Sequence, residues 1–574
     1  MVSKDTILAS ERSVGQNESP LQRIRRAYQP RLPALLKDLS HVVLQREPLE
    51  LPASPLRSTI QTLFPATWNQ PLCRIGEGAS LPRPLPRRVG VLFSGGQAPG
   101  GHNVIAGLYD AIKQRNGASR VFGFLNGSSG LMADLRYLEL KDSLIDPYRN
   151  QGGFDLLGSG RGKIETPEQL EAVKKMMWAL ELHALVVIGG DDSNTNAAHL
   201  AEYFLQEKVP CQVIGIPKTI DGDLRNRYVE LPFGFDTACK TYSEIIGNIA
   251  RDALSAKKYT HFIKLMGRSA SHVALECALQ THPNFTLISE EVKSRQLTLQ
   301  GIVQELSDLI CRRSLAGKDY GVILIPEGLL EFTSDGQMLI KELQGLGGKK
   351  QSIEKIREAL TAPAAACFAA LPPSIQTQLL LDRDPHGNVQ VSKIETERLL
   401  IEMVEKELEG RQASGQFKGR FSAQAHFLGY EGRSGFPSNF DSDYCYTLGY
   451  TAAVLIENGV TGYVAFVQGL SEEIDSWRPG GCPLPVLMHL EERGGEKKLV
   501  IQKALVDLSG ASFQTFAKER EHWTVEDHYC YPGPLQFFGP DEICHAIPLT
   551  LAQLREYNNA NAAAESANHV NHDS

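Results

Sequence analysis

Five short apolar runs, Val89–Phe93, Ala184–Ile188, Gln212–Ile216, Thr260–Met266 and Gly321–Ile325, most constrain how this chain can fold. Each leads into a turn, often glycine-rich, and then a helix-like stretch. A strand that is apolar on both faces must be covered on both, and strands alternating with helices predict parallel sheets clad by helices, an α/β architecture. The chain has 574 residues, 42% of them hydrophobic. That is more than one core holds, since cores stop growing near ~250–300 residues. At least two domains are expected.

The strand rhythm starts at Val89. Residues 1–87 are rich in Pro and Arg, with helical-looking stretches at Leu21–Tyr28 and Leu32–Leu44, and end in Leu81-Pro-Arg-Pro-Leu-Pro86, where closely spaced prolines preclude regular structure. They read as an N-terminal extension and linker. Residues 88–240 form a first α/β domain, completed by 436–510, and residues 241–435 a second. Within the second, about 332–420 lacks the strand rhythm and carries a charged helix candidate, Ile394–Arg411, as an inserted helical subdomain would. Residues 511–557 make a C-terminal segment. The Asn, Ala, Ser and His of 558–574 bury too little to order themselves, which predicts a disordered tail.

The charge balance, 59 basic against 67 acidic residues for a formal net of −8, argues against a general binder of nucleic acid or anionic membrane. Ten cysteines, from Cys73 to Cys544, show no CxxC pair or zinc-type spacing, and Met1–Gly15 has no apolar signal core, so a reducing, cytoplasmic setting is expected. No apolar run approaches the ~18–20 residues that span a bilayer.

Ligands of open parallel sheets bind beyond the carboxyl ends of the strands, so the loops after the strands carry the functional reading. The first, Phe93-Ser-Gly-Gly-Gln-Ala-Pro-Gly-Gly-His-Asn103, runs into a helix near Val104. Gly95 and Gly96 clear side chains from where backbone N–H groups meet an anion, and the helix amino terminus adds partial positive charge. Taken alone it equally fits a turn built for tight packing. No Gly-x-x-x-x-Gly-Lys-Ser/Thr loop is present; the nearest imitation, Gly158–Lys163, is followed by Ile164.

The second loop, Ile188-Gly-Gly-Asp-Asp-Ser-Asn-Thr195, sets two carboxylates side by side, with Ser193 or Asn194 suited to cap the helix. Such acids at a phosphate-facing turn call for a cation. Magnesium suits, because it takes oxygen ligands from one or two carboxylates and from substrate phosphates. Two acids that merely cap a helix are the alternative. The third loop, Ile216-Pro-Lys-Thr-Ile-Asp-Gly-Asp-Leu224, combines a lysine, a hydroxyl and two carboxylates. Phosphoryl transfer needs a carboxylate to accept the proton of the attacking hydroxyl and a cation to neutralise the moving group.

Together with Met266-Gly-Arg268 and Ile325-Pro-Glu-Gly328, these loops resemble, in order and spacing, the phosphofructokinase family over roughly Val89 to Ile547. The resemblance is nearest to its long pyrophosphate-dependent members, including the catalytic β-type subunits of plants. It implies two doubly wound, Rossmann-like domains and transfer of a phosphoryl group from pyrophosphate to fructose 6-phosphate, reversibly, in glycolysis or gluconeogenesis. By the same resemblance Asp221 is the proton acceptor for the sugar 1-hydroxyl, with Thr219 and Ile220 beside it on the substrate. Asp191 is linked to magnesium, and Gly96 and Arg161 lie on the donor phosphates. Met266, Gly267, Arg268 and Glu327 surround the sugar phosphate, and Tyr430-Glu431-Gly432-Arg433 holds the 6-phosphate, a task suited to a guanidinium fork. Lys258 and Tyr259 match positions that reach a neighbouring subunit's site, which implies at least a homodimer. Singly, Arg268 or Arg433 would also pass as a surface ion-pair partner, Glu327 as a structural acceptor and Tyr430 as core filling.

ATP-dependent relatives typically carry Gly-Gly-Asp-Gly where this chain has Gly189-Gly-Asp-Asp192, and glycine in place of Lys218. Asp192 would then project into the space of a nucleotide's α-phosphate. Two like charges about 4 Å apart repel by ~4 kcal/mol at an effective dielectric near 20. Lys218 would supply positive charge between donor and acceptor, so Asp192 and Lys218 join Asp221 as the residues expected to carry the chemistry. The alternatives are an ATP-dependent enzyme, a non-catalytic regulatory subunit, which typically lacks the Thr219–Asp223 run, and a binding module without turnover.

Overall fold

The computed structural model describes residues 18–49, 55–79, 84–132, 136–346, 353–381, 393–493 and 496–570. The Met1–Gly15 stretch, residues 80–83 of the proline-rich link, parts of the 332–420 insertion and residues 571–574 lie outside them. The chain divides into two compact units: Met1–Ala238 with Gly432–Ala504 and Gln536–Ile547, and Cys239–Glu431 with Leu505–Leu535 and Pro548–Ser574.

The first unit is built on a ten-stranded sheet. Its strands are β1 (Val42–Glu47), β2 (Leu72–Glu77), β3 (Arg88–Ser94), β4 (Arg120–Phe124), β5 (Tyr137–Leu140), β6 (Ser159–Gly160), β7 (Ala184–Gly189) and β8 (Gln212–Pro217). The second unit holds β9 (Thr260–Leu265), β10 (Phe285–Thr286), β11 (Gly321–Pro326) and β12 (Ala423–Leu428). The first resumes with β13 (Tyr463–Gln468), β14 (Arg478–Pro483) and the hairpin β15 (Met488–Arg493) and β16 (Glu496–Ile501). The large sheet runs β1-β2-β14-β13-β8-β7-β3-β4-β5, with β6 pairing the end of β3.

From β13 to β4 this sheet is parallel, and the buried runs of β3, β7 and β8 are its centre. The expectation of a wholly parallel sheet is corrected at the edges, where β5 on one side and β14, β2 and β1 on the other pair antiparallel. Only a five-residue helix, Ser128–Met132, is described between β4 and β5, and a single turn, Ile474–Ser476, between β13 and β14, and such short links suit antiparallel neighbours. The region read as an extension also supplies β1 and β2. The helix expected at Leu21–Tyr28 runs Pro20–Arg26 and opens on a Ser19 and Gln22 capping box. Leu32–Leu44 instead gives two single turns, Ala34–Leu36 and Leu39–His41, and the start of β1. Pro33 stands at the cap of the first turn, so no helix runs on through it from Leu32, and Val42-Val43 favours a strand.

The second unit carries a fully parallel sheet, β10-β11-β9-β12. The helices of the 332–420 region share its core: Leu339, Phe368, Leu379, Leu399 and Val404 are buried with Phe262, Ile323 and Ile325. A buried ion pair fastens α1 (Thr396–Ala413) to β9, with Lys264 Nζ 3.1 Å from Glu397 Oε2. A helix, α2 (Leu549–Val570), runs through most of the stretch whose composition predicted disorder. Leu551 is buried at its start, and the alanine-rich turns that follow favour helix once it is nucleated.

Candidate active site

In the first unit the turns after β3, β7 and β8 are neighbours, because these parallel strands are adjacent in the sheet and end on the same side. Gly95 takes φ 85°; its N–H donates to the Gly160 carbonyl at 2.8 Å, and Ser159 Oγ donates to the Gly95 carbonyl at 2.6 Å. The first loop is thereby tied to the turn bearing Arg161. A Cβ on Gly96 would lie 2.5 Å from Arg433 Nη2, so glycine is what lets the guanidinium approach the backbone. Arg433 also donates to Gln97 Oε1 at 2.8 Å. The structure thus sets Arg433 on this loop.

Ser193 and Asn194 do not cap the helix after β7. That helix, α3 (Asp191–Gln206), starts at Asp191, with Gly190 in the cap position. Asn194, inside the first turn, donates to the Gly189 and Gly190 carbonyls at 2.6 and 2.9 Å, and Ser193 Oγ donates to Ser94 Oγ at 2.8 Å. The Asn194 bonds brace the second loop, and the Ser193–Ser94 bond ties it to the first. Asp191 and Asp192 therefore occupy the positive end of α3, where carboxylates are stabilised.

Lys218 is 5% exposed, and its backbone N–H donates to the Gly189 carbonyl at 3.0 Å. Burial pulls its ammonium down to about 8; Asp221 and Asp191 resist, while Arg433 and Arg161 add to the fall. Thr219 Oγ1 accepts the Asp221 N–H at 3.1 Å, which shapes the third loop. Asp223 is buried and pushed up to about 7, by burial first and then by Asp221, against the pull of Lys503.

Two lysines that sequence reading did not single out complete the group. Lys163 Nζ lies 3.4 Å from Asp192 Oδ1, and Lys503 Nζ lies 3.4 Å from Asp191 Oδ2 and 4.0 Å from Asp223 Oδ2. Lys163 stands two residues past Arg161, in the Gly158–Lys163 stretch. A cavity of about 230 Å³ is lined by Gly95, Gly96, Arg161, Lys163, Asp191, Asp192, Lys218 and Thr219. Ile220, at 4% exposure, and Asp221 are not in its lining. Among the described residues no cluster of three or more His, Cys, Asp or Glu forms a metal cage. The oxygen donors Asp191 and Asp223 instead fit a cation such as magnesium, which takes one or two carboxylates and completes its shell with phosphate and water.

In the second unit the expected sugar-phosphate residues sit at the ends of β9, β11 and β12, again adjacent parallel strands. Met266 N–H donates to the Leu428 carbonyl and Glu327 N–H to the Leu265 carbonyl, both at 3.0 Å. Gly267, at φ 136°, donates its N–H to Glu327 Oε2 at 3.1 Å. A Cβ on Gly328 would come within 1.9 Å of the Arg268 carbonyl, so these two turns are packed backbone to backbone. Arg268 is exposed and Tyr430 is 71% exposed, whereas Glu431 turns back to accept the Gly429 N–H at 2.8 Å. Tyr430–Gly432 form a single turn, after which the chain returns to the first unit.

Lys258 and Tyr259 are not gathered with these residues. They precede β9, and its six residues put them about 20 Å from Met266. The Lys258 ammonium lies 5.0 Å from the centre of the Tyr259 ring.

Turns at the carboxyl ends of parallel strands are where open α/β sheets bind ligands, and residues 88–456 match the family described as phosphofructokinase. This chain belongs to the phosphofructokinase family. It is 49% identical over 565 residues to pyrophosphate–fructose 6-phosphate 1-phosphotransferase of Treponema pallidum (strain Nichols), across 95% of this chain and 98% of that one. It is also 49% identical over 528 residues to subunit beta 1 of the Arabidopsis thaliana enzyme of the same name, across 91% and 92%. A crystal structure described as pyrophosphate-dependent phosphofructokinase from Marinobacter aquaeolei aligns with a TM-score of 0.50 at 16% identity, over 77% of this chain and 93% of that one; the likeness concerns the fold.

Proposed function

We propose that this chain transfers a phosphoryl group from inorganic pyrophosphate to the 1-hydroxyl of fructose 6-phosphate, giving fructose 1,6-bisphosphate and phosphate, reversibly. One observation supports the donor choice above others: Lys218 is buried behind the Gly95 turn while Asp192 lines the same small cavity. A lysine retained in a buried place, at a free-energy cost, is expected where its charge serves chemistry. A cavity of this size, walled by acids as well as cations, suits a compact diphosphate.

Each residue then has a task. Gly96 and Arg161 hold the donor phosphates, and Lys218 neutralises charge on the transferring group. Asp221 takes the proton from the 1-hydroxyl. Magnesium, held by Asp191 with help from Asp223, would screen the charge of the donor oxygens. Met266, Gly267, Arg268, Glu327, Tyr430, Glu431 and Gly432 orient the sugar phosphate, and Arg433 binds phosphate from the Gly96 side. Lys258 and Tyr259 serve a neighbouring subunit, making the working form a homodimer or larger. All ten cysteines are free thiols, which agrees with a cytoplasmic setting, and no described helix is long and apolar enough to cross a membrane.

An assay of the purified chain with pyrophosphate and with ATP, in both directions, tests the proposal. Turnover with pyrophosphate and little with ATP is expected. Comparable rates would make it an ATP-dependent enzyme, and no turnover with either donor in a folded chain would make it a regulatory subunit.

A further inference from the structure

We propose that Lys503 is a positioning residue of the donor site: a built-in counter-cation that keeps Asp191 and Asp223 from holding a divalent metal ion on their own, so that the metal arrives with the donor phosphates. The inference rests on the reading of Asp191 as the metal-linked residue.

The lysine is fixed by its neighbours in the chain. β15 and β16 form an antiparallel hairpin whose Met488, Leu499 and Ile501 are buried in the core of the first unit. The Ile501 N–H donates to Thr195 Oγ1 of α3 at 3.1 Å, so the hairpin is bonded to the helix that begins with Asp191. On either side of the lysine, the Gln502 N–H donates to the Leu487 carbonyl at 2.9 Å and the Ala504 N–H to the Asp223 carbonyl at 2.7 Å. Lys503 is thus delivered between the second and third loops, and its ammonium reaches a carboxylate of each, at 3.4 and 4.0 Å.

Asp191, Asp221 and Asp223 are three like charges on these two loops, so each makes the others costlier to ionise. A cation among them lowers that repulsion and competes with any metal ion for the same oxygens. Magnesium bound before the donor would have to give up ligands to admit it. A lysine spanning the pair holds their geometry and leaves the metal to be captured with phosphate oxygens in its shell.

The test is a titration of the enzyme with Mn2+ alone, without pyrophosphate, followed by electron paramagnetic resonance. Lys503→Met is expected to tighten Mn2+ binding about tenfold, allowing for partial exposure of the lysine. It should also lower kcat with pyrophosphate while leaving KM for fructose 6-phosphate unchanged. Lys503→Arg should restore the original Mn2+ affinity. A lysine that only braced the hairpin would, on removal, leave Mn2+ binding unchanged or weaker, and that result overturns the proposal. If Lys503→Met does not fold, Lys503→Gln, which keeps a hydrogen-bond donor without the charge, must show the same tightening. Adding Asp191→Asn to the tightened variant separates the two readings. Loss of the gained affinity supports both, whereas its retention shows that the metal is not at Asp191 and sinks the assignment of the metal site itself.

Discussion

The strand-end turns of the two units solve different problems with the same architecture. In the first unit they are crowded with charge: Lys163, Lys218, Lys503 and Arg433 interleave with Asp191, Asp192, Asp221 and Asp223. In the second they are shaped mainly by backbone, with Gly267 bonded to a buried Glu327 and Gly328 packed on the Arg268 carbonyl. Charge suits a ligand that is nearly all phosphate and whose reacting bond changes charge. Shape and a few directed hydrogen bonds suit a sugar, whose identity lies in where its hydroxyls point. Donor selectivity should accordingly be electrostatic and acceptor selectivity geometric.

The largest departure should come from Asp221→Asn, which removes the proposed proton acceptor. A ~10²–10⁴-fold fall in kcat is expected with both KM values little changed, measured by initial rates. A fall confined to KM for fructose 6-phosphate would move Asp221 to the geometric side of the comparison. Next in size is the double change Asp192→Gly with Lys218→Gly. Its preference for pyrophosphate over ATP should drop by roughly 10²–10³-fold, through lower pyrophosphate turnover together with relief of the block on ATP, assayed with each donor. Because Lys163 already shares the charge of Asp192, the single change Asp192→Gly should recover only part of this. Smaller again is Glu327→Gln. It is expected to raise KM for fructose 6-phosphate about tenfold while leaving pyrophosphate kinetics alone, since it weakens one bond to the Gly267 N–H. An equal rise in KM for pyrophosphate would break the separation of donor from acceptor.

The smallest effect is one of pH. Lys218 has its ammonium lowered to about 8, so the charged form prevails below that and is lost as pH rises through it. The value of kcat/KM for pyrophosphate should be flat near pH 7 and about halved near pH 8. In Lys218→Arg the alkaline fall should move beyond the range measured, because a guanidinium stays charged.

Buried parallel strands and glycine-bearing turns made the α/β class and the loops after β3, β7 and β8 readable from residue order, because each is a local pattern. Lys503 was not readable. It lies in Ile501-Gln-Lys-Ala504, which has no turn or motif character, and it gains its place only through a hairpin bonded to a helix some three hundred residues earlier, as the 306-residue separation of Ile501 and Thr195 records. Strands β1 and β2 were missed for a related reason: Leu72–Glu77 joins the large sheet only when β14 pairs with it. Lys163 shows a different failure. The order Arg161-Gly-Lys163 does not say which basic residue meets a carboxylate, and only the fold sets Lys163 beside Asp192.

The ribosome adds a consequence to the strand order of the large sheet. β13 and β14 sit between β2 and β8, so residues 72–77 stay without an inner neighbour until residues 463–483 have been synthesised; Arg74 and Gln468, which share a hydrogen bond, are 394 positions apart. Pairing over such a span folds slowly and leaves strand edges open meanwhile. The contacts of Lys503 with Asp191 and Asp223 likewise wait for that late stretch. A nascent chain of this enzyme should rely on chaperones longer than one whose sheet is laid down strand by strand.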